Sequence, residues 1–324
     1  MVKSVALIGL GGIGMLYDIK LPNSVLSHAR AFSEHNSFKL VGAVEPDETL
    51  RKMFYKNYNE LAYPTLAELF DHCLPDVVVV ACPTNLHFTV IDEIFRFYNP
   101  QAILCEKPLA YCNEDAEAIN NLCRVNGVKL FVNYIRRADP GVLEVRNRLI
   151  AKDICLPFKA VVWYSKGVLH NGSHFLDLMT FWFGPLQSIK LIDAGPHIGE
   201  EDAEPDFHVD FVHGSAIFCS ASEENFSHYT LELVAKNGRL RYEKGGVINW
   251  QGIGMHETLI SHYQLESLVE TIDHDMNRYQ YHVVEQLNQE LIGKQSSLCV
   301  GGDAVKTINW LQKLLDQRKQ LSGI

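Results

Sequence analysis

Three stretches carry residues whose types and spacing could do chemistry. The first is Val5-Ala6-Leu7-Ile8-Gly9-Leu10-Gly11-Gly12-Ile13-Gly14, an apolar run that ends in Gly9-x-Gly11-x-x-Gly14. An apolar run bounded by glycines reads as a buried strand of a parallel sheet. Gly9 allows a tight turn, Gly11 lets backbone N–H groups approach a pyrophosphate, and Gly14 allows the next element to pack closely against the strand; Gly12 and Ile13 complete the turn. The second stretch is Ala102-Ile103-Leu104-Cys105 running into Glu106-Lys107-Pro108. An ammonium at Lys107 can donate to a carbonyl or hydroxyl oxygen and exchange a proton with it. Pro108 disfavours helical geometry at Lys107 and so holds it extended. The third is Gly172-Ser173-His174-Phe175-Leu176-Asp177. With Ser173 as the N-cap of a helix, His174 and Asp177 are three residues apart and share a face. Near the positive end of that helix a neutral His174 is suited to proton transfer, with Asp177 orienting it or contacting a hydroxyl.

The elements around these stretches can be read in the same way. Met15 to Ser27 contains Asp18, Pro22, Asn23 and Ser24, all poor in a helix interior, and a helical pattern begins only near Ser27. This predicts an inserted loop of about ten residues between the glycine turn and the first helix, placed to form a lip over a bound cofactor. Phe38 to Glu45 reads as a second strand ending in a carboxylate. An acid there accepts hydrogen bonds from adenosine ribose hydroxyls and repels a 2′-phosphate. It is expected ~20 residues after the glycines; Glu45 follows Gly14 by 31, an excess the insertion explains. No Arg or Lys comes at once in Pro46-Asp47-Glu48, which favours NAD over NADP. Strand and helix then alternate through residue 134, including Asp76 to Ala81, the break at Pro83-Thr84-Asn85, and Val128 to Tyr134. The alternation predicts a doubly wound parallel sheet. Ligands bind beyond the carboxyl ends of such strands, so Lys107 shares an edge with Gly9–Gly14 and Glu45.

Beyond residue 134 the pattern changes. Pro140 to Ile150 reads as a helix, and strand-like runs come next at Phe158–Tyr164, Ile189–Ile192, Phe207–Val212, Ser215–Ala221 and Tyr229–Val234. A tight turn at His213-Gly214 predicts antiparallel pairing. Asp193 to Asp206 reads as a long solvated loop, and late helices run through Tyr281–Leu291 and Asp303–Leu315. The prediction is a second α+β domain with a mainly antiparallel sheet. Helices on one face leave the other to be covered by self-association, as a homodimer or homotetramer.

A formal net charge of −10 over 324 residues argues against nucleic-acid or anionic-membrane partners, whose phosphates would be repelled. No uninterrupted apolar run approaches the ~18 residues of a membrane span. Met1-Val2-Lys3-Ser4 runs straight into the first strand, which predicts no signal peptide. Eight cysteines without a C-x-x-C pair read as the reduced thiols of a cytoplasmic protein. No metal is predicted: His170 and His174 are separated by Gly172, and His208 with Asp210 finds no further ligand.

In this order the glycine fingerprint, the strand-end Glu45, Cys105-Glu106-Lys107-Pro108-Leu109-Ala110 and Gly172-Ser173-His174-x-x-Asp177 make the chain resemble the Gfo/Idh/MocA oxidoreductases over nearly its whole length. The Glu-Lys-Pro stretch after a Rossmann fingerprint is the specific part. The resemblance implies a Rossmann domain over 1–134 and a C-terminal α+β domain with a large open sheet over 135–324, for substrate binding and oligomerisation. It implies NAD(P)-dependent transfer of a hydride to or from a hydroxyl or keto group of a sugar, polyol or nucleotide-sugar. Lys107 would lie near the nicotinamide and the reacting hydroxyl, with Glu106, Pro83, Thr84, Asn85 and His87 beside the cofactor. Tyr134 to Arg137 would lie near nicotinamide and substrate, so that Tyr134, Arg136, Lys107 and His174 contact the substrate. Two positions depart from the family pattern. Phe181 stands where many members place a catalytic His four residues after the acid, which leaves His174, and Ile135 stands where an Asn often precedes the two arginines. Some relatives hold NAD tightly and achieve glycoside hydrolysis or elimination, and a non-catalytic NAD- or sugar-binding regulator is the third alternative. Arg136, Arg137 and Lys166 could meet a phosphate or carboxylate, which the acidic 200–206 loop could equally discourage.

Overall fold

The N-terminal apolar run forms strand β1 (Lys3–Ile8), and Val5 to Ile8 are all buried, as a strand covered on both faces requires. In the computed structural model, which describes residues 2–199, 201–243, 245–256 and 262–322, β1 leads to α1 (His28–Glu34), β2 (Phe38–Val44), α2 (Glu48–Tyr58), β3 (Ala62–Tyr63) and α3 (Leu66–His72). Next come β4 (Val77–Val80), α4 (His87–Phe97), β5 (Ala102–Cys105), α5 (Asn113–Val125) and β6 (Lys129–Val132). The chain continues through α6 (Pro140–Ala151), β7 (Phe158–Tyr164), α7 (Ser173–Phe183) and β8 (Leu186–Asp193). Short strands β9 (His197–Ile198) and β10 (Asp202–Ala203) precede β11 (Asp206–Phe211), β12 (Gly214–Ser220), β13 (Thr230–Ala235) and β14 (Gly238–Glu243). The last elements are β15 (Val247–Met255), β16 (Tyr263–Leu265), β17 (Glu270–Ile272), α8 (Tyr279–Leu291), β18 (Cys299–Val300) and α9 (Gly301–Ser322).

Two units emerge, Met1–Ala138 with Asn277–Ile308 and Asp139–Met276 with Asn309–Ile324. Residues 277–308 thus leave the second domain expected over 135–324. The cause is packing that spacing does not reveal. Val283, Val284 and Leu287 of α8 join the core around Val5, Leu7, Ala29 and Phe32, and β18 pairs antiparallel with β6.

The first unit holds a seven-stranded sheet of order β18-β6-β5-β4-β1-β2-β3. All its strands but β18 are parallel. Gly9, Glu45, Pro83 and Glu106-Lys107 therefore leave the sheet at one edge, the edge at which open parallel sheets bind ligands.

The second unit holds a nine-stranded sheet, ordered β16-β15-β14-β13-β7-β12-β11-β8 with β17 against β15. Only β7 and β12 run parallel among its described pairs. Along β7 burial alternates: Phe158, Ala160, Val162 and Tyr164 face a core, while Lys159, Val161 and Trp163 are exposed. The β11–β12 turn falls one residue earlier than expected. Phe211 pairs with Gly214, and Gly214 lies in the strand, where a Cβ would meet the Phe158 ring at 2.4 Å. Residues 193–206 are not simply a solvated loop. β9 and β10 pair, and Glu204 is buried, its carboxylate accepting from Gly167 N (3.3 Å) and Glu223 N (3.4 Å); Glu200 of that acidic stretch lies outside the described residues. Among the described residues no helix is long and apolar enough to cross a membrane.

Candidate functional site

The glycine turn is shaped by what a side chain would strike. Gly9 has φ +100°, and a Cβ there would lie 2.7 Å from Ala81 O. A Cβ on Gly14 would lie 2.3 Å from Gly9 O, whereas one on Gly11 would meet nothing within 4 Å. Carbonyls of Gly11 and Gly12 accept from the N–H groups of Met15, Leu16 and Tyr17. The N–H groups of Gly11, Gly12, Ile13 and Gly14 have no acceptor among the described residues. Four consecutive donors beside open space fit a pyrophosphate.

The helix that begins at this turn is interrupted rather than displaced. His28 N donates to Ile13 O and Ala29 N to Gly14 O, both at 2.9 Å. In an unbroken helix a carbonyl accepts from the fourth residue on; here it accepts from the fifteenth, so about eleven residues are looped out. Without them Glu45 would follow Gly14 by ~20 residues, the spacing of a dinucleotide fold. Glu45 accepts from Leu10 N (2.9 Å) and Asp47 N (3.1 Å), which fixes its carboxylate at the end of β2. Arg51 also folds back to this end, a contact that the sequence did not announce. It donates through Nη1 to the carbonyls of Glu45 (2.7 Å) and Pro46 (2.6 Å), beside the carboxylates of Asp47 and Glu48.

Pro83, Thr84 and Asn85 lie at the same edge in a short turn, with Pro83 and Asn85 exposed. His87, also expected beside the cofactor, opens α4. It is buried, with Nδ1 3.0 Å from Leu109 O and Nε2 3.1 Å from Cys82 O, so it braces the end of β4 against the segment after Lys107-Pro108. Burial holds its imidazole below the usual range, against the pull of those carbonyls.

Glu106 is clamped. Its Oε1 accepts from His28 Nε2 (2.7 Å) and Asn133 Nδ2 (2.6 Å). Gln280 Nε2 donates to His28 Nδ1 (2.7 Å), leaving the Nε2 proton for Glu106, and Gln280 Oε1 accepts from Asn133 (3.1 Å). Burial pushes the Glu106 carboxyl up, but the hydrogen bonds from His28 and Asn133 and the charge of Lys107 outweigh it, and the net direction is down. Lys107 therefore follows an ionised, immobile neighbour. His28, Asn133 and Gln280 gave no sequence signal, since their partners lie 27 to 252 residues away. Tyr134, Arg136 and Arg137 are buried around a 3₁₀ turn, Ile135–Ala138. Arg137 pairs with Asp303 at 3.4 Å.

In the second unit His174 and Asp177 are buried on α7, as is Ser173. The α-helix begins at Ser173, as expected, but Ser173 is its first residue and not its cap. A π-helical turn, Val168–Gly172, precedes it, a feature often found at functional sites. Ser173 Oγ donates back to Leu169 O (2.7 Å) instead of capping. The opening N–H groups are taken by Asp202, whose Oδ1 accepts from Leu169 N (2.9 Å) and Oδ2 from His170 N (3.0 Å). The positive helix end is thus closed by a carboxylate, and His174 sits a full turn beyond it. Phe181 lies under the Arg146 guanidinium at 4.3 Å. Lys166 pairs with Glu223 at 3.6 Å. Among the described residues no three His, Cys, Asp or Glu side chains converge as metal ligands.

Residues 3–134 match the Gfo/Idh/MocA family, an oxidoreductase family with an NAD-binding Rossmann fold. The scyllo-inositol 2-dehydrogenase (NAD(+)) of Bacillus subtilis is 26% identical over 189 residues, 53% of this chain and 49% of that protein. Myo-inositol dehydrogenase Hyg17 of Streptomyces leeuwenhoekii is 28% identical over 148 residues, 46% of this chain and 41% of that one. The chain thus spans at most about half the length of these curated relatives. The solved aldose-aldose oxidoreductase of Caulobacter crescentus, complexed with glycerol, has a TM-score of 0.78 at 16% identity, covering 99% of this chain and 98% of that one. At that identity it establishes a common fold.

Proposed function

We propose, from the premise that this chain belongs to the Gfo/Idh/MocA oxidoreductases, that it binds NAD and moves a hydride between that cofactor and a hydroxyl or keto carbon of a sugar, polyol or nucleotide-sugar. The observation that carries the reading is the convergence, on one sheet edge, of four open N–H groups, the fixed Glu45 carboxylate and Lys107. The N–H groups of Gly11 to Gly14 would hold the pyrophosphate, with Pro83, Thr84 and Asn85 alongside. Glu45 would accept from the ribose hydroxyls, and with Asp47 and Glu48 would repel a 2′-phosphate, which favours NAD over NADP. Bound NAD supplies the hydride acceptor for an alcohol carbon. Lys107 takes the hydroxyl proton as the carbon is oxidised and returns it in the reverse direction. Tyr134 and Arg136 are the first unit's candidates for substrate contact. His174 and Asp177 are the second unit's candidates for the acid–base and hydroxyl-binding work, since Phe181 cannot titrate. The exposed sheet face bearing Val161, Trp163, Ile217 and Val234 is the surface proposed for a homodimer or homotetramer, which a monomer in sedimentation would overturn.

Nicotinamide absorbance with NAD and a panel of polyols, aldoses and nucleotide-sugars tests the reading. Turnover with one substrate class, reduced by roughly 10²- to 10⁴-fold in Lys107→Ala, is expected. Equal turnover by wild type and Lys107→Ala would overturn the role of Lys107.

A further inference from the structure

The eleven looped-out residues form a fixed frame. The Asp18 carboxylate is fully buried and accepts from Leu26 N (2.6 Å), Ser27 N (2.8 Å) and Ser27 Oγ (2.7 Å). The Arg30 guanidinium gathers the carbonyls of Asp18 (3.1 Å), Leu21 (2.8 Å) and Pro22 (2.6 Å). The far end is tied down as well: Val25 N donates to Asn277 O (2.9 Å), and Tyr279 Oη donates to Leu26 O (2.8 Å).

This frame holds one large ring in water. Tyr17 is 57% exposed, yet it is not loose, because its N–H donates to Gly12 O (3.0 Å) and its ring lies against Gly12. A Cβ on Gly12 would fall 2.5 Å from Tyr17 Cε1 and 2.7 Å from Cζ. A side chain at Gly12 would displace the ring from this position. The ring stands beside the open space at Gly11 and the four unpaired donors. The insertion closes onto Tyr279, next in sequence to the Gln280 that orders His28 and Glu106. The Tyr279 phenol is pushed up mainly by burial, and Glu106 and Tyr17 both add to that.

We infer that Tyr17 is a cofactor-contact residue, its ring covering the nicotinamide half of the bound dinucleotide and slowing its release. The inference rests on the proposed binding of NAD. A ring already fixed by the fold loses little freedom when a ligand arrives beneath it, and its face offers dispersion contact to ribose and nicotinamide. The covering is done by the ring, so the hydroxyl is dispensable.

The test tracks NADH release by fluorescence in a stopped-flow chase, with ADP affinity measured by calorimetry, for wild type, Tyr17→Ala and Tyr17→Phe. ADP reports the Glu45 and glycine-turn contacts without the nicotinamide half. NADH leaving Tyr17→Ala about tenfold faster, Tyr17→Phe staying within about twofold, and ADP affinity unchanged in both is the expected result, the tenfold corresponding to one aromatic contact. Release from Tyr17→Ala at the wild-type rate would overturn the inference. So would an equal loss of ADP and NADH affinity, which would make the ring a support for the turn. Failure of wild type to bind NADH while remaining folded would instead overturn the NAD reading itself.

Discussion

Around Gly11 the backbone leaves four consecutive N–H groups without an acceptor among the described residues, whereas at Val168 the opening N–H groups of the helical run are taken by Asp202. The first arrangement invites an anion and the second shuts one out. The contrast extends to the charged groups. Glu106 in the first unit is kept ionised by a ring of side chains, His28, Asn133 and Gln280. Asp202 in the second unit is pushed up by burial, against backbone N–H groups that pull it down. The first unit is therefore arranged to receive a charged group from outside. In the second, the polar atoms are spent on fixing the π-helical turn and the helix that carries His174 and Asp177.

If Asp202 is the cap that holds the second region, removing it should have the largest effect on the contrast. Asp202→Ala leaves Leu169 N and His170 N without their acceptor and should destabilise the second unit by about 2 kcal/mol. Hydrogen exchange would show faster opening in 168–183 with no change in 9–14. Equal acceleration in both stretches, or none, would break the comparison.

A smaller effect separates the units by the sign of their response to acid. His87 has its pKa lowered by burial, so below about 6.5 the unfolded chain binds more protons, and stability in the first unit falls as pH drops toward the folded value. Glu106 is lowered too, so its contribution is present above about 4.5 and is lost below that, as pH falls through the folded value. Asp139 and Asp202 are raised by burial. The folded state binds the extra proton between about 3.8 and their raised values, and stability in the second unit rises as pH falls through that window. Exchange corrected for intrinsic rates, compared at pH 7 and pH 4, should show α4 loosening while residues 139–142 and 168–172 tighten. Parallel change in both would contradict the assignment of these groups.

The sequence made the first region far more legible than the second. Glycines that must be glycine, a strand-end acid and Glu106-Lys107-Pro108 are local signals, and the eleven-residue insertion shifted Glu45 without hiding it. The Glu106 clamp was invisible because His28, Asn133 and Gln280 meet only after folding, and α8 returns from far along the chain. His87 matched a cofactor segment by position, while its contacts with the Cys82 and Leu109 carbonyls form only on folding. In the second unit Ser173 looked like a cap because nothing nearby announced Asp202, which arrives from the short β9–β10 hairpin. Strand β14 was missed although Leu240 and Tyr242 alternate with Arg239 and Arg241, and β15 was missed because Gly252 and Gly254 interrupt the alternation by which strands are read.

The central claim is that the open N–H groups at the glycine turn receive a dinucleotide pyrophosphate. Gly11→Ala tests it most directly, because a Cβ at Gly11 meets nothing within 4 Å in the protein itself. NADH titration of this variant, beside a thermal melt, should show wild-type stability with affinity reduced by roughly tenfold or more, about 1.4 kcal/mol, as the methyl group keeps the pyrophosphate from the backbone. Wild-type NADH affinity in a folded Gly11→Ala protein would contradict the account.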